Sequence, residues 1–278
     1  MFLFLLAVLT SAMVSLFMRL AEKHTKNNIT MLACNYLMCT ALAMLSTRTG
    51  ELFPAVDGLR RTLMLGGVNG FMYLGGFVML NWNIRKNGVV LPATFMKLGV
   101  IVPTLMAVLF FGEVPSALQI IGILAALFAI VLIRFEKGQT RAASSIGLIL
   151  LMLFGGMADG MSKVYEVFGT PALQDHFLLY TFFVALVLCI LLAVFQKQSL
   201  TMADVLFGLL IGVPNYFTSR FLLLSLDTIP AVVAYPCYSV GTIVLVTLAG
   251  VLFFREKLSR RQIVALGVIL GALVLLNL

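Results

Sequence analysis

Apolar residues run through this chain in long blocks rather than in alternation. A bilayer is crossed by about 20 mostly apolar residues in helical form. Ten stretches meet that length, at roughly 2–21, 28–47, 60–82, 88–111, 116–134, 143–166, 174–196, 204–226, 229–254 and 258–277. Aromatic residues and Gly recur throughout them with no period of two, which excludes a β-barrel. The pattern predicts an all-α integral membrane protein with ten transmembrane helices. Polar stretches are short, the longest being 48–59 and 135–142.

The blocks repeat. Phe110, Phe111, Glu113, Ser116, Gln119 and Ile120 match Phe253, Phe254, Glu256, Ser259, Gln262 and Ile263 at a constant spacing of 143. Weaker echoes pair Gly67-Val68 with Gly212-Val213, Pro92 with Pro236, and Arg19 with Lys163. The chain therefore divides into a first five-helix repeat, 1–134, a linker, 135–142, and a second five-helix repeat, 143–278. An odd number of spans per repeat turns the second one over in the membrane. That inverted plan puts a substrate site near the midplane, between the repeats. GxxxG spacing at Gly66/Gly70, Gly156/Gly160 and Gly267/Gly271 predicts close helix packing inside the bundle, with a homodimer through span 10 as the alternative.

Composition agrees with the pattern. Hydrophobic residues make up 62% of the chain and charged residues 11%, against about 45–50% and about 25% in soluble domains. The net charge of +8 is therefore loop charge that sets orientation, not a nucleic-acid surface. Most Lys and Arg fall in odd-numbered loops, the even-numbered ones carrying only Arg48, Arg60 and Arg61. By the positive-inside rule alone, both termini lie outside. The first span has no basic segment before it and reads as a membrane helix, not a cleaved signal. Cys34, Cys39, Cys189 and Cys237 all fall inside spans without CxxC spacing, which marks them as packing residues.

Phe111-Gly112-Glu113 followed by Gln119 and Gly122, and Phe254-Arg255-Glu256 followed by Leu258, Gln262, Gly267 and Gly271, resemble the drug/metabolite transporter superfamily and its EamA-like branch. The five-plus-five layout extends the resemblance over the whole chain. It implies a ten-helix inverted-repeat transporter with a central cavity lined by spans 1–4 and 6–9, and with spans 5 and 10 at the periphery. Members move small metabolites, amino acids or drugs, many of them outward. Many have both termini in the cytoplasm, opposite to the charge count. The expected location is the plasma membrane of a bacterial cell, as a multi-pass protein.

Candidate site residues follow from charge inside the spans. Lys97 lies nine residues beyond Gly88, about 14 Å along a helix, near the middle of a hydrocarbon core about 30 Å thick. A charge there costs about 2.5–3.5 kcal/mol and faces an interior or wet cavity. Ala93, Thr94 and Ile101 share its face, and Pro92 and Pro103 bracket it. Its role is an anchor for a substrate carboxylate or other anion, with an interhelical ion pair as the alternative. Arg220 shares a face with Val213, Tyr216 and Phe217 near the end of span 8. It either snorkels to the interface or offers its fork to a carboxylate or phosphate.

Asp159 is the one acid well inside a span. Lys163, four residues on, is its expected local partner; an interhelical cation or a coupling proton are the alternatives. Glu166, Asp175, Asp204 and Asp227 fall at span ends and are expected at the interface. Glu113 and Glu256 each follow one helix and open the next, where a carboxylate suits free N–H groups, so both are assigned to hinge geometry. Asn35, Tyr36, Asn69, Tyr73, Tyr180, Asn215, Tyr235, Tyr238 and Ser239 form a polar and aromatic set of the kind that lines small-ligand sites. Trp82 reads as an interfacial anchor.

No GxSxG, HExxH, Walker A or dinucleotide fingerprint occurs, and His24 and His176 lie at loop edges. The chain is therefore expected to be no enzyme and to need no cofactor or metal. The favoured function is secondary transport of a small anionic or zwitterionic metabolite, such as an amino acid or organic acid, by alternating access with a coupling proton or ion. The alternatives are export of lipophilic cations through Asp159 and the aromatics, or a non-transporting membrane or lipid-handling subunit.

Overall fold

The computed structural model describes residues 1–22, 24–25, 28–47, 50–87, 90–134, 145–254 and 260–278. Regular structure among them is helical throughout. The elements are α1 (Phe2–Ala21), α2 (Asn28–Ser46), α3 (Leu59–Asn87), α4 (Val90–Leu98), α5 (Ile101–Phe111), α6 (Ala117–Arg134), α7 (Ser145–Phe168), α8 (Gln174–Phe195), α9 (Met202–Leu226), α10 (Ala231–Phe254) and α11 (Arg260–Leu276). Among the described residues, eight helices are long and apolar enough to cross a bilayer, Thr94–Phe111 counted as one, and Ala117–Leu132 and Gln262–Leu276 are shorter apolar helices.

The fourth span, expected over 88–111, still crosses as one span over Thr94–Phe111 but carries a two-residue irregularity. It is α4 and α5, separated by Gly99-Val100. Pro103 has no N–H to return to the Gly99 carbonyl, so the helical ladder is broken there. That carbonyl instead accepts from Val102 N at 2.9 Å. Restarting at Ile101 places Pro103 in the first turn of α5, where a missing donor is harmless.

The helices gather into two compact units, each drawing on both sequence repeats. Unit 1 comprises residues 1–74 and 161–227, and unit 2 comprises 75–160 and 228–278. Counterpart helices of the two repeats pack on each other, α2 with α8 in unit 1 and α6 with α11 in unit 2.

In unit 1, α9 packs against α1 and α2. A Cβ on Gly212 would meet Met38 Cβ at 2.6 Å, so the two backbones approach as only Gly allows. Asp204 opens α9 in a reciprocal capping box with Thr201, and its Oδ2 also accepts from Thr30 Oγ1 at 3.1 Å. At 0% exposure it is a buried tie between α2 and α9, not the interfacial acid its place at a span end suggested.

In unit 2, the same closeness joins α7 to the broken span. A Cβ on Gly156 would strike the Gly99 carbonyl oxygen and lie 2.6 Å from Val102 Cβ, and one on Gly160 would lie 3.0 Å from Met106 Sδ. Trp82 packs over Gly147, with Lys86 Nζ 4.5 Å from its ring centre. Gly66 and Gly70, in unit 1, pack against α8 through Tyr180, Thr181 and Val184. Gly267 and Gly271 meet no described atom within 4 Å, so the third GxxxG does not pack inside the bundle as expected. Gly156→Ala should therefore destabilise by about 1–3 kcal/mol through overpacking. Gly267→Ala should be neutral or stabilise by up to about 1 kcal/mol through helix propensity. Thermal unfolding in detergent checks both, and equal effects would contradict this packing.

Candidate functional site

The close crossing of the broken span with α7 determines which charges meet. Lys97 stands two residues before Gly99, in the last turn of α4, and Asp159 stands three residues after Gly156. The crossing of Gly99 with Gly156 sets the stretch bearing Lys97 beside the stretch bearing Asp159. Both side chains are half-buried, whereas Thr94, one turn before Lys97, is fully buried. The Asp159 main-chain carbonyl accepts from Tyr235 Oη of α10 at 2.9 Å. Tyr238 lies one turn further along α10 and is half-buried. Unit 2 thus holds Thr94, Lys97, Asp159, Tyr235 and Tyr238. The local pair that the i,i+4 spacing favoured is replaced: Lys163 pairs with Glu166, one turn ahead of it.

Glu113 proves to be a helix cap, but not for the helix it precedes. The start of α6 has its own capping box, with Ser116 N donating to Gln119 Oε1 at 3.0 Å and Gln119 N to Ser116 Oγ at 3.2 Å. Gly112 turns the chain with φ 67°, a left-handed conformation that suits Gly. Both Glu113 oxygens then reach α10, accepting from Ala231 N at 3.0 Å and from Val232 N at 2.7 Å. This is a bidentate, charge-assisted cap on the positive end of a helix dipole. Its repeat-mate Glu256 lies outside the described residues.

Asn69, Tyr73, Tyr216 and Arg220 belong to unit 1. Arg220 donates to Ser46 Oγ at 2.8 Å and to Tyr216 Oη at 3.3 Å, and its Nη2 lies 3.1 Å from Asp175 Oδ1. Asp175, expected at the interface, is thus the partner of the second candidate cation. Tyr73 shares a hydrogen bond with Ser219 Oγ at 3.2 Å and packs edge-on to Tyr36 and Phe182. Asn69 donates to Thr181 Oγ1 at 3.4 Å, while its own buried Oδ1 has no partner among the described residues. His176, at the loop edge that opens α8, is buried, its Nε2 lying 3.1 Å from the Glu51 carbonyl oxygen. Among the described residues, no group of three or more His, Cys, Asp or Glu converges as metal ligands do.

Apolar helices long enough to cross a bilayer define a multi-pass membrane protein. Residues 1–135 match the family model described as the EamA-like transporter family, and residues 178–269 match that of the Small Multidrug Resistance protein. The chain is thus similar in its first half to the EamA-like transporter family and in its second half to the Small Multidrug Resistance protein, as the drug/metabolite transporter resemblance leads one to expect. An uncharacterized protein of Haemophilus influenzae is 23% identical over 268 residues, covering 91% of this chain and 90% of its own. The uncharacterized membrane protein YvaE of Bacillus subtilis is 43% identical over 58 residues, 21% of this chain and 49% of its own. A solved crystal structure aligns with a TM-score of 0.80 at 13% identity, covering 99% of this chain and 94% of its own, which is a likeness of fold.

Proposed function

We propose that this protein is a secondary transporter of a small zwitterionic or anionic metabolite, such as an amino acid or organic acid, working by alternating access in the plasma membrane. The observation that carries this reading is the close crossing of Gly99 and Gly156, which sets the span bearing Lys97 beside the helix bearing Asp159 next to the irregularity between α4 and α5. Broken helices line the sites of many transporters because their ends offer backbone groups to a ligand. A zwitterion would present its carboxylate to Lys97 and its ammonium to Asp159. Without ligand, each charge moderates the cost of holding the other within a span. A coupling proton would be carried by the Asp159 carboxylate. This reading has no enzymatic step and needs no cofactor.

The second reading, export of lipophilic cations, draws support from the match of 178–269 to the Small Multidrug Resistance protein. In that case Asp159 and the aromatic side chains would hold the cation. A thermal-shift screen of the purified protein separates the two. Ligand at about 100 times its Kd stabilises the folded state by about 2.7 kcal/mol. We expect amino acids or organic acids to raise Tm in the wild type, and the shift to vanish in Asp159→Asn for amino acids. Stabilisation by lipophilic cations alone would replace the first reading with the second.

A further inference from the structure

We propose that Arg220, Asp175, Ser46 and Tyr216 form a latch that holds one end of unit 1 closed and must open during each transport cycle. This inference rests on transport as such, not on the ligand assigned to Lys97 and Asp159.

Unit 1 is tied at both ends, by different devices. Thr30 and Asp204, at the starts of α2 and α9, meet at one end. Ser46 and Arg220, toward the finishes of the same helices, meet at the other. The two helices therefore run parallel. Asp175, in the first turn of α8, joins the second end, so α8 runs against them.

The first tie is permanent in character. Asp204 is 0% exposed and is held by its own helix start as well as by Thr30, so opening it would strand a carboxylate away from water. The second tie is made of long side chains. The side chains of Arg220 and Asp175 are 29% and 26% exposed, and water is at hand for both charges when they part. Such a pair holds a geometry but separates at modest cost.

The latch also carries residues 50–58, which precede α3. Residues flanking Asp175 hold that segment by its backbone. His176 Nε2 lies 3.1 Å from Glu51 O, Tyr180 Oη donates to Leu52 O at 2.6 Å, and Thr170 Oγ1 donates to Asp57 O at 3.2 Å. Motion of the first turn of α8 away from Arg220 would take the segment with it. Ser46, Ala43 and Cys39 follow one another on one face of α2, and Ala43 and Cys39 are fully buried beneath the latch.

The test is accessibility. Ala43→Cys, one turn inward of Ser46, is placed in the full chain in proteoliposomes. It is labelled with a membrane-impermeant thiol reagent and read by peptide-resolved mass spectrometry, which separates it from the four native cysteines. Adding Asp175→Asn or Arg220→Gln should raise the labelling rate about twofold to fivefold, the population shift expected from removing one partner of a partly exposed pair. The charge-reversed combination Arg220→Asp with Asp175→Arg should bring the rate back toward the parent. Unchanged labelling in folded single variants overturns the latch. If those variants do not fold, Ser46→Ala, which removes one hydrogen bond, should still raise labelling about twofold to threefold, and no rise overturns it equally.

Discussion

Lys97→Ala should abolish uptake of the transported metabolite by reconstituted vesicles, lowering flux by about a hundredfold or more. Leaving one uncompensated charge near the middle of a span costs about 2.5–3.5 kcal/mol, and each 1.4 kcal/mol is about tenfold in an equilibrium. Two losses coincide here: the ligand carboxylate has no cation to meet, and Asp159 keeps a charge with no Lys97 on the neighbouring stretch. Lys97→Arg should restore part of the flux, because it keeps the charge but replaces a compact ammonium with a wide planar fork. The double variant Lys97→Ala with Asp159→Asn should be more stable than Lys97→Ala alone, since no lone charge is left in the span, yet remain inactive. Normal flux in Lys97→Ala would remove Lys97 from the site and the zwitterion reading with it.

The second large effect is expected at Glu113. Glu113→Ala should lower the stability of the folded protein by about 2–4 kcal/mol, because two backbone donors at the start of α10 lose charge-assisted acceptors. Glu113→Gln retains one carbonyl oxygen and should cost about half as much. The effect has an address as well as a size. Hydrogen exchange at Ala231 and Val232 should accelerate, while the first turn of α6, capped by Ser116 and Gln119, keeps its protection. Faster exchange in α6 instead would mean that Glu113 serves its own hinge. That was the sequence expectation, and the geometry contradicts it.

The spans were legible in the sequence because a bilayer demands one apolar block for each crossing, and nothing but chain order is needed to count them. The break at Gly99-Val100 was not, since both sides of it are apolar and hydropathy is blind to a change of helix. Pro103, four residues after a Gly, was the available sign. The partner of Glu113 lies 118 residues away, beyond any local rule. A local clue existed all the same: the Ser116-x-x-Gln119 box meant that α6 had no need of Glu113. Lys97 and Asp159 were each found as charges inside spans, but only the Gly99–Gly156 crossing showed that their stretches lie side by side. Arg220 was found, while Asp175 and Ser46 were not, because an acid near a span end looks solvated until its neighbour is known. Spacing also misled at Lys163, where two carboxylates within a turn competed and Glu166 won.

The cap made by Glu113 also sets an order of events. The ribosome releases this carboxylate 118 residues before the amides it will bind. Through the synthesis of α6 to α9 it waits at the hinge without those partners. Only when α10 inserts can it engage, and α10 in turn cannot settle its first turn without it. The contact between the early hinge and the start of α10 can thus form only once α10 is in place, with α11 alone still to follow.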